Sequence, residues 1–384
     1  MAVTSEVANH LCEFSATLYG NVLATQKDKQ VNTLICPLSI YTALAMTLSG
    51  SAGETEEELR QALHLSKPID HNLVGSFLSS YLKSTDGFQM DSANRMFLLR
   101  LAKIHNSFMS NLTKNYHSEC ESLANLSSDE AKREHINQWV AKTTHERITS
   151  LLPAGAVNNN SILMLINALY FKGFWANQFP AERTKPGQFN RYDGTTYEMQ
   201  MMSVSEHYPY EEPEDIPAQA LKLPFQGDSK LEMLIVLPFG NDGLPEIQQY
   251  LQQPANLHKL LSLPFSEKKV NVILPKFKLA KCPPLDVIGL LQKMGVSKLF
   301  DANACDLSGI SDDLKLFVSA IYHQAVLEVD EKGATAAAAT AMRISNRALI
   351  MEPTFKVDRP FIVGIIRDKT VPIFLGHVWE PELN

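Results

Sequence analysis

The chain has 384 residues, of which 45% are hydrophobic, so it can bury a large core, and its length alone suggests two or three domains. Its net charge of −7, with no basic stripe, argues against nucleic acid as a partner. Five scattered cysteines without a C-x-x-C pair argue against a disulfide framework or zinc site, and no apolar run is long enough to span a membrane.

The first 150 residues or so are predicted to be mainly helical. Apolar residues at helical spacing, in place of an uninterrupted signal-peptide core, predict a first helix through Val7, Leu11, Phe14, Leu18 and Val22. Two capping boxes predict further helix starts, one formed by Thr55 with Glu58 and one by Ser127 with Glu130.

From residue 162 the pattern changes to strands. The run 162–171 is apolar almost throughout, which is typical of a strand at the centre of a sheet. Further strands are predicted at 231–237, 270–274, 316–319 and 325–329, a helix at 285–294, and a hairpin that pairs 361–366 with 371–375. Because no repeat and no Gly/Ser-rich linker divides the chain, we expect a single α+β domain covering residues 1–384.

The stretch from 328 to 353 stands out because its centre contains only small residues. Alanine favours helix in isolation. From Ala334 onward, however, the set formed by every second residue ends in apolar side chains, whereas the interleaved set ends in polar ones. That is the period of a strand with one buried face. The segment could therefore be a loop in one state and a strand in another. The alternative is a low-complexity linker, although apolar strand-like runs flank it on both sides.

Motifs of known catalytic sites are absent from the sequence. It contains no G-x-S-x-G, no P-loop and no G-x-G-x-x-G. His145-Glu146 lacks the second histidine of a zinc-protease motif, and His117 with Cys120 would supply only two of the ligands that a closed site needs. We therefore predict no catalytic residue, no metal and no cofactor, and a protein that is not an enzyme.

An ordered set of motifs, from near residue 6 to the C-terminus, resembles the serpins, a family of serine protease inhibitors. The motifs lie at 32–40, 43–46, 166–175, 223–225, 237–238, 274–277, 326–340 and 355–361. Each one is weak alone, but the ordered set is specific. The chain most resembles the ovalbumin-type intracellular branch, which implies a cytoplasmic location, with export by a non-classical or internal-signal route as the alternative.

The resemblance implies a serpin fold of three β-sheets, about eight or nine helices and an exposed reactive-centre loop at about 333–353. In this family a protease cleaves the loop and is trapped as an acyl-enzyme while the freed segment enters the central sheet as a new strand. The implied hinge residues are Glu331, Gly333, Ala334, Ala336, Ala337, Ala338 and Thr340. Their small size favours insertion, because burying a charged side chain is costly. Serpins usually carry threonine or serine where Ala334 stands, and alanine is small enough to insert.

Counting the family's usual loop length from Glu331 places the reactive bond at Arg347-Ala348. An arginine there fits a specificity pocket with a carboxylate at its base, which implies a trypsin-like serine protease as the covalent partner. Arg343 is the nearest rival, and a register shift of one residue would put Asn346 at the bond. A solvated surface arginine is the remaining alternative.

Four further positions match serpin motifs. Ser39, Asn167 and His323 match a hydrogen-bonded cluster that controls opening of the central sheet, and Trp175 matches the tryptophan at the top of the sheet, where insertion begins. Cys36 stands where serine is common, which exchanges a good donor for a weak one.

Three functions stay open at this point. The leading one is a suicide inhibitor of trypsin-like serine proteases; the others are a non-inhibitory serpin acting in binding, storage or as a chaperone, and a cross-class inhibitor of papain-like cysteine proteases. The hinge composition favours inhibition. We expect a monomer, and no strong heparin effect because the region 71–83 lacks clustered basic residues. Three glycosylation sequons would matter only after export, at Asn111, Asn125 and Asn159.

Overall fold

The computed structural model describes residues 2–26, 29–65, 70–227, 230–312, 316–331 and 352–382. The helices in these ranges are α1 (Ala2–Thr25), α2 (Pro37–Leu48), α3 (Gly53–Ala62), α4 (His71–Tyr81), α5 (Asn106–Asn111), α6 (Asp129–Thr143), α7 (Leu244–Leu251), α8 (Pro254–Leu261) and α9 (Val287–Lys293). The strands are β1 (Thr33–Ile35), β2 (Phe88–Leu98), β3 (Cys120–Ser122), β4 (Leu163–Gly173), β5 (Lys185–Asn190), β6 (Thr196–Glu211), β7 (Ala218–Pro224), β8 (Leu231–Pro238), β9 (Ser266–Pro275), β10 (Phe277–Leu279), β11 (Val318–Val329), β12 (Thr354–Lys356), β13 (Phe361–Arg367) and β14 (Val371–Val378).

A five-stranded sheet has the order β10-β11-β4-β2-β3. β4 lies at its centre, antiparallel to β2 and parallel to β11, and is buried at nearly every position. One face of the sheet packs on the main core, and the other packs on α6 through Ile136 and Val140. The prediction of a central strand over 162–171 is therefore confirmed, and its continuous apolar pattern follows from burial on both faces.

The other nine strands are linked in one path, β1-β14-β13-β8-β7-β6-β9-β12, with β5 paired to β6. Only two residue pairs join β6 to β7, Tyr210 with Leu221 and Glu211 with Ala220. This narrow connection divides the path into a five-stranded and a four-stranded part. With the central sheet, they account for the three sheets that the resemblance implied, and the helix count agrees with nine α-helices in the described residues.

The first predicted capping box is wrong. α3 begins at Gly53, so Thr55 lies within the helix, where its hydroxyl accepts a hydrogen bond from the Asp306 N–H at 2.9 Å. The Glu58 carboxylate accepts from the Ser297 N–H at 2.7 Å instead of closing its own helix. Both side chains serve a segment some 240 residues away, which a local motif cannot reveal.

Other element boundaries also differ from the predictions. Ser128, not Ser127, caps α6, since its hydroxyl accepts from the Ala131 N–H. The mainly helical first region contains the long strand β2, and the predicted strands 316–319 and 325–329 belong to one strand, β11. The C-terminal hairpin is confirmed as β13 and β14, and the helix predicted at 285–294 as α9.

An aromatic cluster joins the central sheet to the larger sheet. The ring of Phe171, on β4, lies 5.8 Å from Phe88, 5.4 Å from Phe225 and 5.7 Å from Phe374, measured between ring centroids.

Among the helices of the described residues, none is both long enough and apolar enough to cross a membrane.

Replacing Phe171 by alanine is expected to lower the free energy of unfolding by about 3–5 kcal/mol, because three rings lose their common neighbour and leave a cavity. The shift in the urea midpoint measures this loss. Leu101→Ala is the control, since Leu101 is 80% exposed and should be close to neutral. Equal midpoints for the two variants would contradict this role of the cluster.

Candidate functional site: the seam of the central sheet

The parallel strands β4 and β11 are direct neighbours in the central sheet. Their pairing runs from Val318 opposite Leu163 to Glu328 opposite Lys172, with one irregularity between Val318 and Ala320. We call this ladder the seam. A strand can enter between β4 and β11 only if the seam separates, which would move the two strands from about 4.8 Å to about twice that spacing.

A polar cluster lies beneath the middle of the seam, at the start of α2. The Ser39 hydroxyl donates to Asn167 Oδ1 at 3.1 Å, and the Cys36 N–H donates to His323 Nε2 at 3.0 Å. Asn167 and His323 stand opposite each other across the seam. The sequence analysis grouped Ser39, Asn167 and His323, and the structure brings all three together.

Asn94 belongs to the same cluster, although the sequence analysis did not single it out. It lies opposite Asn167 on the neighbouring strand β2, and its Nδ2 donates to the Ser39 carbonyl at 3.4 Å. The cluster is therefore a row of polar residues across three strands. In the sequence, the signal for Asn94 is a polar residue in the middle of a half-buried strand. Its membership of the cluster becomes evident only when the strand pairing is known.

Hydrogen bonding in this row is incomplete while the seam is closed. Among the described residues, the buried atoms Asn94 Oδ1, Asn167 Nδ2 and His323 Nδ1 have no protein hydrogen-bond partner. An unpaired buried polar atom costs about 1–3 kcal/mol. The closed sheet therefore keeps polar groups at its centre that another arrangement could satisfy.

Burial sets the protonation of this cluster. It lowers the pKa of His323 to about 4, so the imidazole is neutral at pH 7 and Nε2 can accept the Cys36 N–H. Burial also raises the pKa of the Cys36 thiol to about 12. Cys36 contributes its backbone N–H to the cluster, so the exchange of serine for cysteine leaves that hydrogen bond in place.

The upper end of the seam is charged. Lys172 Nζ lies 2.5 Å from Glu328 Oε1 across the seam and 2.7 Å from Asp330 Oδ2. The Tyr170 hydroxyl donates to Glu328 Oε2 at 3.0 Å. Burial alone would raise the pKa of Glu328, but the hydrogen bonds from Lys172 and Tyr170 outweigh it and lower the pKa. Separation of the seam must break these contacts.

Trp175 lies just beyond the seam and fixes the chain that follows β11. Its Nε1–H donates to the Asp330 carbonyl at 2.8 Å, and its ring stacks on Phe225 at 4.8 Å between centroids. Next along the chain, the Glu331 carboxylate accepts from Thr184 Oγ1 at 3.1 Å and pairs with Lys276 at 3.0 Å. Glu331 is thus firmly placed at the start of the predicted loop.

The far end of the predicted loop is held on β9. The Asn271 N–H donates to the Pro353 carbonyl at 2.9 Å, and Glu352 accepts from the Ser205 hydroxyl at 2.9 Å while pairing with Lys269. The other predicted loop residues lie outside the described residues: Gly333, Ala334, Ala336, Ala337, Ala338, Thr340, Arg347 and Ala348.

Comparison with protein families decides what this arrangement belongs to. The family model described as serpin (serine protease inhibitor) matches residues 9–381.

The chain belongs to the serpin family.

Curated relatives match this serpin over nearly its whole length. Iris of Ixodes ricinus is 34% identical and covers 98% of this chain and 99% of its own. The leukocyte elastase inhibitor of Xenopus tropicalis is 36% identical over 96% and 97%, and Serpin B8 of Homo sapiens is 32% identical over 97% and 99%. As a member of a protease inhibitor family, this serpin is not an enzyme.

Solved structures agree with the fold. Serpin48 of Tenebrio molitor, described as a highly specific serpin, has a TM-score of 0.85 at 29% identity and covers 99% of both chains. Uncleaved ovalbumin has a TM-score of 0.86 at 23% identity, over 98% of this chain and 100% of its own, which supports the fold alone. The predicted serpin resemblance and fold class are confirmed.

Metal binding has no candidate in the described parts of this serpin. They hold no group of three or more histidine, cysteine, aspartate or glutamate side chains placed to bind a metal ion. The five cysteines are all free thiols.

The buried imidazole of His323 predicts a pH-dependent stability. Its folded-state pKa lies below the unfolded value of about 6.5, so the unfolded chain binds the extra proton and stability falls as the pH falls from about 6.5 to 4. Between pH 7 and pH 5 the loss is at most about 2 kcal/mol, because over this range the unfolded imidazole takes up its proton while the folded one, with a pKa of about 4, stays mostly neutral.

His323→Gln keeps an acceptor for the Cys36 N–H and removes the titration. The urea midpoint of this variant should therefore depend less steeply on pH than that of the wild type. His207→Gln is the matched control, because His207 is exposed on β6. Parallel pH profiles for the wild type and His323→Gln would disprove the assignment.

Proposed function

We propose that this serpin inhibits trypsin-like serine proteases as a suicide substrate cleaved at Arg347-Ala348. The observation that carries the proposal is the closed seam, in which β4 and β11 pair directly, together with the alanine-rich sequence that follows β11 along the chain. A strand that enters there replaces one backbone ladder with two. The inserted form then has more hydrogen bonds and more buried surface than the closed form, which supplies a driving force for insertion.

The chemistry of trapping follows from ordinary serine protease catalysis. The protease serine oxygen attacks the carbonyl carbon of Arg347, the bond to the Ala348 nitrogen breaks, and the new amino terminus takes up a proton. Arg347 stays joined to the protease by an ester. Insertion of the freed segment then carries the ester and the protease away before water completes hydrolysis.

Both ends of the predicted loop are anchored, which supports insertion of the segment before the cleaved bond and retention of the fragment after it. On the N-terminal side, Glu331 and Asp330 follow β11 directly, so a segment that begins there can enter beside it. On the C-terminal side, Pro353 is bonded to β9, where the released fragment would stay. We propose the hinge role of the small residues after Glu331 and the reactive bond at Arg347-Ala348 together with this mechanism.

Arginine at position 347 favours a trypsin-like target over an elastase. The relatives named leukocyte elastase inhibitor make elastase the competing assignment. An arginine side chain gains a bidentate, charge-assisted pair only in a pocket with a carboxylate at its base. Two further functions compete with this one, namely non-inhibitory binding and inhibition of papain-like proteases. The cytoplasmic location, the monomeric state and the absence of a heparin effect stay predictions.

Incubation with trypsin should give a complex that survives SDS, because an ester links the two proteins. The released C-terminal peptide should begin at Ala348. Arg347→Ala should abolish the complex with trypsin, and Arg343→Ala, the control, should retain it. Complete cleavage without a complex would make the chain a substrate, and a complex with elastase but none with trypsin would move the specificity to the competing class.

Glutamate should have a large effect on inhibition on one of the two alternating faces of the hinge and little effect on the other. Ala336 belongs to the set that ends apolar, so Ala336→Glu should bury an unpaired carboxylate, slow insertion and convert the inhibitor into a substrate. Ala337→Glu, on the interleaved set, should leave inhibition nearly unchanged. The number of serpin molecules consumed per trypsin inhibited measures both. Equal values for the two variants would contradict the proposed orientation.

A further inference from the structure

A cavity of about 510 Å³ lies between α2, α4, β2 and the π-helical turn Leu112–Tyr116. Three of its lining residues are buried and form its floor: Thr42, Met46 and Tyr116. Lys83 and His117 line it from exposed positions and therefore lie at its mouth. The volume is within the range of sites that bind small molecules.

The elements around the cavity leave its space unfilled. A Cβ atom on Gly75 would come within 2.0 Å of the Asn115 carbonyl oxygen, so α4 and the π-helical turn meet there backbone to backbone. The residues of α4 that line the cavity are all serines, whose short side chains do not reach across it: Ser76, Ser79 and Ser80. The π-helical turn ends at His117, which has a positive φ of 49°. Such turns are rare and are frequent at functional sites.

The mouth of the cavity is cationic. Lys83 carries an ammonium group, and His117 has a ring N–H that can donate in either protonation state. Neither makes an ion pair within the described residues. Among the described residues that line this cavity, none is an aspartate or a glutamate. An anionic group at the mouth would therefore meet donors and no repulsion.

A second cavity of about 410 Å³ adjoins the first, and four residues line both: Ser92, Asn94, His117 and Ser118. It contains one carboxylate, that of Glu119, which is paired with Arg95 at 3.0 Å. This pairing neutralises the carboxylate, so the adjoining space does not oppose an anion.

The floor of the cavity is apolar, although hydroxyl groups lie close by. The Tyr116 hydroxyl is hydrogen-bonded to His71 Nδ1 at 2.6 Å, which leaves the tyrosine ring as its contribution to the lining, next to Met46. The hydroxyls of Ser79 and Ser92 make no hydrogen bond within the described residues. An apolar floor below cationic and hydroxyl donors suits a ligand with an apolar body and one anionic end.

We propose that this cavity binds a small organic monocarboxylate. Its apolar body lies on Met46 and Tyr116, where burial from water supplies binding energy. Its carboxylate accepts charge-assisted hydrogen bonds at Lys83 and His117. The site does not depend on the proposed inhibition of proteases, and the uncut protein is sufficient to test it.

Three probes with one apolar body distinguish an acid site from a merely apolar one. In a calorimetric titration at pH 7, phenylpropionate should bind the uncut protein. Phenylpropanol should bind about tenfold more weakly, because it loses the hydrogen bonds to its charged end. Phenylpropylamine, a cation, should show no binding because Lys83 repels it. Absence of binding by the acid, or equal binding of the acid and the alcohol, would overturn the proposal.

Variants of the lining test where the acid binds. Lys83→Met should weaken phenylpropionate about threefold to fivefold at low salt, as expected for one exposed ion pair, and leave phenylpropanol unchanged. Lys114→Met is the matched control, because Lys114 is exposed on the π-helical turn and does not line the cavity. Equal weakening by the two lysine variants would contradict the assignment.

Ser79→Phe fills the cavity and should abolish binding of both the acid and the alcohol. Its melting temperature shows whether the variant is folded. Binding retained by folded Ser79→Phe would place the acid elsewhere on the protein. If this variant does not fold, the probe series and the two lysine variants decide the question. The complex with trypsin tests the proposed function separately.

Discussion

Strands β4 and β11 hold each other through one backbone ladder, and the contacts of the candidate site are arranged along it. Two parallel strands at the centre of a buried sheet can separate only if the contacts on both faces of the sheet adjust. The polar row beneath the seam, the ion pairs at its upper end and the turn after α6 each contact at least one of these two strands. All of these contacts would have to adjust or break if the ladder opened.

The centre and the upper end of the seam differ in their chemistry. At the centre, burial keeps His323 neutral. The polar cluster there is held by hydrogen bonds between neutral groups, and, within the described residues, some of its buried polar atoms have no protein hydrogen-bond partner. At the top, partial exposure allows charged groups, and Lys172 is paired with Glu328 and Asp330. A fully buried charge would be far more costly than a neutral polar group. The arrangement places each kind of group where its burial permits it.

Local sequence patterns predicted the elements whose partners are near in the chain or whose burial is uniform. The continuous apolar run of β4 and the hairpin of β13 with β14 are of this kind. The first capping box was wrong because Thr55 and Glu58 bind groups near residues 306 and 297. Strand β2 was missed because its polar residues, among them Asp91 and Asn94, contact the turn after α6 and the helix α2 in the tertiary structure.

The sequence by itself determined the family, the small side chains of the hinge and the identity of Arg347, because these are properties of the order and type of residues. Only the tertiary structure decided that Asn94 joins Ser39, Asn167 and His323, and that Arg147 lies over Tyr170. The physical reason is distance along the chain: Ser39 and Asn167 are 128 residues apart, and Cys36 and His323 are 287 apart. Contacts between such remote residues depend on strand register and helix packing, which no local pattern specifies.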